Sequence, residues 1–198
     1  KLKEMGIYDN TIIIYISDHG SHFRTRNRDE HLNGYDDYKR SCHDSALRVP
    51  LVIRGGKYLG GRHIQQLVST ESMPKTLLAM AGVDVGDKMI GEDLADVVEG
   101  KNPNRPNEVF AQISESRCGR AVRTDKYLYS VYAPHVGGGD QAASDVYADD
   151  FLYDLEKDPY ELNNLIHDES YRPVKEELRK KLLAWIEKAE HAHPAIID

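Results

Sequence analysis

The residues best placed to do chemistry are a carboxylate and an imidazole side by side, Asp18 and His19, followed by Gly20. Asp18 offers hard oxygen donors. His19 offers a nitrogen that binds a metal ion or donates a hydrogen bond. The same residue types are also ordinary turn formers, so a plain strand cap stays open as the alternative. What precedes the pair favours a site. Residues 11–16, TIIIYI, are apolar or β-branched with almost no polar alternation, the pattern of a strand buried on both faces in a parallel sheet covered by helices. The pair therefore falls at the carboxyl end of a strand, where open α/β sheets place their ligands, and Gly20 lets the backbone turn there.

Residues 21–46 form a long polar stretch carrying Arg24, Arg26, Arg28, Lys39 and Arg40 among Asp29, Glu30, Asp36 and Asp37. Connections of that length inside compact domains are usually functional or disordered; as charges alone, these read as a solvated loop. Residues 47–54, LRVPLVIR, read as a second buried strand with Pro50 near its start. Ser72 is placed to cap a helix with Pro74 in its first turn. Met73, Leu77, Leu78 and Ala81 recur at helical spacing, and Gly82 ends it. The Pro- and Asn-rich residues 99–107 mark a boundary between a region 1–103 and a region 104–198.

The second region has short β-like runs at 108–114, 120–123, 127–132 and 151–154, which favour an antiparallel sheet. Residues 173–189 read as a helix whose Val174, Leu178, Leu182, Ile186 and Ala189 share the face that packs on that sheet. His191 and His193 have a metal-like spacing but stand at a terminus expected to fray.

At 198 residues, with 40% hydrophobic and 30% charged residues, the chain has enough length for a proper core. Its net charge of −7 argues against a general nucleic-acid binder but leaves room for a local pocket taking a small anion. No apolar run reaches the roughly 18 residues of a membrane span. Cys42 and Cys118 are too few to indicate a disulfide framework. The chain opens at Lys1-Leu2-Lys3-Glu4 without methionine or signal peptide, which says nothing about export.

Four segments, in order, resemble the sulfatase family of the alkaline-phosphatase superfamily. Asp9-Asn10-Thr11 followed by IIIYISDHG resembles the family's strand ending in its metal-binding pair. Lys39, nine residues before the Arg48-Val49-Pro50 strand start, resembles its lysine block. SMPKTLLAMAGV, residues 72–83, resembles its Pro-Thr-Leu-Leu helix, and FLYDLEKDPYELNNL, residues 151–165, its motif near the C-terminus. The resemblance implies an α/β fold: the C-terminal part of an alkaline-phosphatase-like, mostly parallel sheet with helices, then a small antiparallel sheet packed by a C-terminal helix. The strands at 11–16 and 47–54 are expected to be neighbours in that mostly parallel sheet.

The family's nucleophile, a Cys or Ser oxidised to formylglycine in a Cys/Ser-x-Pro/Ala-x-Arg motif, is absent. Cys42 is followed by His-Asp-Ser-Ala and Cys118 by Gly-Arg-Ala-Val. The family's paired N-terminal aspartates are absent too. The resemblance therefore covers the C-terminal two-fifths or so of a sulfatase, and a missing N-terminal part is the expected partner. By resemblance, Asp18 and His19 complete a Ca²⁺ site, and Lys39 contacts the sulfate. His43 shapes the pocket or contacts substrate, and His22 reaches the sulfate or leaving group. Each of the last two can equally be a structural histidine. Arg48 is expected to be an ion-paired structural arginine, while Arg24, Arg26, Arg28 and Arg117 are candidates for an anionic glycan. A histidine ligand is unusual for calcium, and on ligand type alone Mn²⁺ or Zn²⁺ is credible. The implied substrate is a sulfated carbohydrate or small sulfate ester, with no nucleic acid and no membrane. A phosphodiesterase or phosphonate hydrolase on the same scaffold, or a non-catalytic interaction module, remains the alternative. Without a nucleophile the chain alone is expected to be inert, and export is the family's expectation.

Overall fold

The computed structural model describes residues 1–21, 39–84 and 86–198. These fall into two compact units that do not follow chain order: residues 1–17 with 50–107, and residues 18–49 with 108–198. The described residues 18–21 and 39–49, grouped by sequence with the first region, thus pack with the second. The reason is local: the sheet formed by residues 108–154 offers that segment an apolar face to cover.

The first unit contains β1 (Ile13–Ile16) and β2 (Leu51–Arg54), which pair antiparallel with Ile13 opposite Arg54 and Ile16 opposite Leu51. The two strands are neighbours, as expected, but they run in opposite directions, which corrects the parallel arrangement. A continuous apolar run reports burial and carries no information on strand direction. Nor are these strands buried: Tyr15 is 67% exposed and Val52 60%.

Helix α1 (Met73–Met80) has Pro74 in its first turn, and the chain leaves it through Gly82 at φ +76°, the left-handed position that glycine takes without a Cβ penalty. Ser72 precedes α1 without capping it; its hydroxyl instead accepts a hydrogen bond from the Glu92 N–H at 3.2 Å. Thr76 does the same for Leu94 at 3.0 Å. These bonds fix the start of α2 (Leu94–Val98), whose cap is the Asp93 carboxylate.

The second unit is built on a five-stranded sheet: β3 (Glu108–Ile113), β4 (Arg117–Thr124), β5 (Tyr127–Gly137), β6 (Val146–Asp154) and β7 (Ala195–Ile197), in that order. The first four run antiparallel, as the short runs imply, and β7 joins β6 in parallel. Successive side chains on a strand point to opposite faces, and both faces are covered. Val122, Tyr129, Val131 and Leu152 meet Leu178, Leu182 and Ile186 of helix α3 (Arg172–Glu190). Burying each such aliphatic side chain stabilises by about 1.5–3 kcal/mol. On the other face Ala121, Leu128, Phe151 and Tyr153 meet Cys42, with Leu47 alongside. His191 ends α3 in the left-handed conformation, its N–H donating to the Glu187 carbonyl at 3.0 Å, a helix-stop role. Among the described residues no helix is long and apolar enough to cross a membrane.

Candidate functional site

Asp18 and His19 follow β1 and belong to the second unit. Gly20 fixes them there. Its N–H donates to the Ala46 carbonyl at 2.8 Å, and the Ser21 N–H donates to the Ser45 carbonyl at 2.7 Å. A Cβ on Gly20 would stand 2.2 Å from the Ser45 oxygen. Glycine is therefore required by close backbone approach, a stronger reason than turn formation alone.

The acceptors lie in a single helical turn, Asp44–Leu47. That turn is held at two points. Its Asp44 N–H donates to the Glu161 carboxylate at 2.8 Å, and its Asp44 carboxylate accepts from Arg123 Nε of β4 at 3.0 Å.

Within the pair, the His19 N–H donates to Asp18 Oδ1 at 3.0 Å. His19 Nδ1 lies 2.6 Å from the Gly20 carbonyl oxygen. A carbonyl can only accept, so in the neutral ring Nδ1 carries the proton and Nε2 keeps its lone pair. This is the tautomer of a metal-ligating imidazole held by an outer hydrogen bond. Nε2 is 3.9 Å from Asp18 Oδ2, and the two side chains are 41% and 87% exposed. Ligand distances of about 2.0–2.6 Å let one cation touch both atoms across that gap. The donor pair fits a divalent cation, but among the described residues no group of three or more His, Cys, Asp or Glu could hold one.

Lys39 is exposed in the turn before Ser41 and lies in the same unit as the pair. His43, in contrast, is fully buried. Its ring stacks on Phe151 with centroids 4.3 Å apart, Nδ1 contacts the Ser41 hydroxyl, and Nε2 is 3.5 Å from the Tyr153 hydroxyl. These are the contacts of a hydrogen-bonded, packed histidine, the structural alternative left open for it by sequence. His22 and Arg24, Arg26 and Arg28 lie outside the described residues.

Arg117, a glycan candidate by sequence, is paired with a carboxylate of the same chain. Asp150 clamps it with bonds of 3.1 and 2.5 Å, and both side chains are largely buried. Arg48 reaches Asp44 at 3.9 Å from an exposed position. Burial pushes the Cys42 thiol up to about 12, so it stays neutral. Cys118 is buried beside the Tyr147 hydroxyl.

Glu161 is the residue that sequence reading missed. Its carboxyl is buried and stands at about 7, raised by desolvation against the pull of the Asp44 N–H bond. The only signal for it was its place in the YDLEKDPYELNNL motif.

The family model described as N-sulphoglucosamine sulphohydrolase, C-terminal, matches residues 30–188. The chain belongs to this sulfatase family. An ulvan-active sulfatase of Formosa agariphila is 25% identical over 92% of this chain and 34% of its own length. Among solved structures, a protein described in complex with its substrate D-glucosamine-2-N,6-O-disulfate shares 24% identity at a TM-score of 0.71, covering 98% of this chain and 37% of the other. The phosphonate monoester hydrolase of Agrobacterium radiobacter shares 25% identity at a TM-score of 0.65, covering 96% and 37%. The chain spans about a third of the length of the curated relatives it matches. The sulfatase-type α/β fold read from the four motifs is thereby borne out.

Proposed function

We propose that these residues are the C-terminal part of a sulfuric ester hydrolase acting on sulfated carbohydrate or small sulfate esters. The family match over residues 30–188 carries that reading. In it, Asp18 and His19 would hold a Ca²⁺ ion, together with donors from the part of the enzyme beyond this chain, where the formylglycine nucleophile is also expected. When bound, the ion would offset negative charge on the sulfate oxygens.

This chain's own residues supply the rest of the proposed site. Asp18 contributes an anionic oxygen. His19 contributes Nε2 while its Nδ1 proton is held by the Gly20 carbonyl. Lys39, exposed in its turn, presents a compact ammonium, which suits a point contact on a tetrahedral anion. Sulfate-ester cleavage moves charge onto the sulfuryl and leaving oxygens, and preorganised cations stabilise it most where it grows.

The phosphonate hydrolase neighbour sustains a second reading, since sulfate and phosphonate esters are similar tetrahedral anions. The test is the turnover of an aryl sulfate and an aryl phosphonate by the purified full-length protein. A kcat/KM preference for the sulfate supports the proposal, and a preference for the phosphonate selects the second reading. The 198-residue chain by itself should release no sulfate, having no formylglycine precursor.

A further inference from the structure

Glu161 has two properties that rarely occur together. Its carboxyl is buried, and its backbone stands at φ +56°, a left-handed conformation that costs a residue with a Cβ free energy and persists only where the surroundings impose it. Here the imposing contacts are visible. The Glu161 N–H donates to the Asp158 carbonyl at 3.1 Å, and the Asn163 N–H donates to Asp158 Oδ2 at 2.7 Å. The turn aims the Glu161 carboxyl inward, where it accepts from the N–H groups of Asp44 and Ser45.

From there a ladder of hydrogen bonds leads to the site. Asp44 and Ser45 begin the Asp44–Leu47 turn. The Ser45 and Ala46 carbonyls accept from Ser21 and Gly20. The Gly20 carbonyl in turn receives His19 Nδ1 and fixes the tautomer. Gly20 has no room to shift toward the turn, because even a Cβ would strike Ser45. A displacement of the turn is therefore passed to the residue beside the donor pair.

We infer that Glu161 is a positioning residue for the Asp18–His19 pair, acting through the Asp44–Leu47 turn. Its bearing on metal affinity rests on the metal reading above. Charged groups around the carboxyl are consistent with a tuned contact. The carboxylates of Asp44 and Asp158 push its pKa up, and Arg123 bonds the Asp44 carboxylate. Nothing in this arrangement requires Glu161 to touch substrate.

Amide hydrogen exchange on the full-length protein tests the inference. In Glu161→Ala, exchange at Gly20 and Ser21 should accelerate by roughly 10- to 100-fold, the effect of removing one bond to a charged group. Amides of β5 and β6 should be unmoved. Glu161→Gln keeps an acceptor oxygen and should restore protection. Protection at Gly20 and Ser21 that survives Glu161→Ala, or a Gln variant as exposed as the Ala variant, overturns the inference. If Glu161→Ala does not fold, exchange of the wild type in rising denaturant decides. The amides of Gly20, Ser21, Asp44 and Ser45 opening as one unit supports it, and independent opening overturns it. Calorimetric Ca²⁺ titration separates the two readings. Binding weakened about tenfold in Glu161→Ala and rescued by Gln extends the positioning to the metal, as expected for an outer contact. Unchanged affinity removes that extension. A wild type that takes up no Ca²⁺ sinks the metal reading alone, and the exchange result still decides Glu161.

Discussion

The strand β6 and the strand β1 carry apolar runs of the same kind, yet Phe151, Leu152 and Tyr153 are buried while Ile13, Tyr15 and Ile16 are exposed. The difference is cover. Helix α3 lies on one face of the five-stranded sheet and the Cys42 segment on the other. Among the described residues β1 pairs with β2 alone. An apolar run states a demand for burial, and the rest of the molecule decides whether it is met. In the second unit the demand is met within this chain.

The largest effect that sharpens this contrast is expected at Leu182, fully buried against Val122 and Leu152. Leu182→Ala should cost about 2–5 kcal/mol, through lost transfer energy and the cavity left behind. Equilibrium denaturation followed by the fluorescence of Trp185, which stacks near Phe110, reads this out. A cost below about 1 kcal/mol would mean that the α3 face is loosely packed.

Next in size are changes at the proposed site. In the full-length enzyme Lys39→Ala should lower kcat by about 10²–10³, or roughly 2.7–4 kcal/mol, by removing a cation aimed at charge that grows in the transition state. Asp18→Ala should lose metal and rate together, and added Ca²⁺ should partly rescue it. Added Ca²⁺ should do nothing for Lys39→Ala. Profiles of kcat against Ca²⁺ concentration check both, and a Lys39→Ala enzyme of near wild-type kcat would return Lys39 to a solvated turn.

Legibility in the sequence followed the same divide. The short β-like runs at 120–123, 127–132 and 151–154 and the apolar stripe of α3 were readable because neighbours a few residues apart generate them. β7 was not, because three residues carry no period and its pairing with β6 depends on the chain returning there. The direction of β1 against β2 was unreadable for the reason already given. Asp18 and His19 could be singled out as candidates because their types and place at a strand end are local facts. Glu161 escaped because its partners are backbone N–H groups 117 residues away, and no side-chain pattern announces them. The same holds for His43, whose burial depends on Phe151 and Tyr153.

A smaller effect comes from Glu161 through pH. Its folded pKa, about 7, lies above the ordinary 4.5. The unfolded chain therefore releases this proton more readily. The stability it contributes is complete below about pH 4.5 and is lost as pH rises through 7. Glu161→Gln should flatten that part of the stability–pH curve, on the order of 1–3 kcal/mol across the window. Unfolding free energies of both proteins at several pH values between these limits provide the check. A parallel pair of curves would mean that Glu161 titrates alike in both states.

The smallest effect is expected at Val52, and its smallness is the point. Val52 is 60% exposed on β2, so Val52→Ser in the 198-residue chain should change stability by no more than about 0.5 kcal/mol. The relatives are about three times as long as their matched portions, and the proposal assigns further chain to the full-length enzyme. If that further chain covers the β1–β2 face, the same substitution there removes a buried aliphatic group and strands a hydroxyl. The cost should then rise to about 1.5–3 kcal/mol. The difference between the two measurements reports how much of this face is covered, without reference to activity. Equal costs in both proteins would leave β1 and β2 as an exposed pair in the complete enzyme, and the apolar run before Asp18 would then need another explanation than burial.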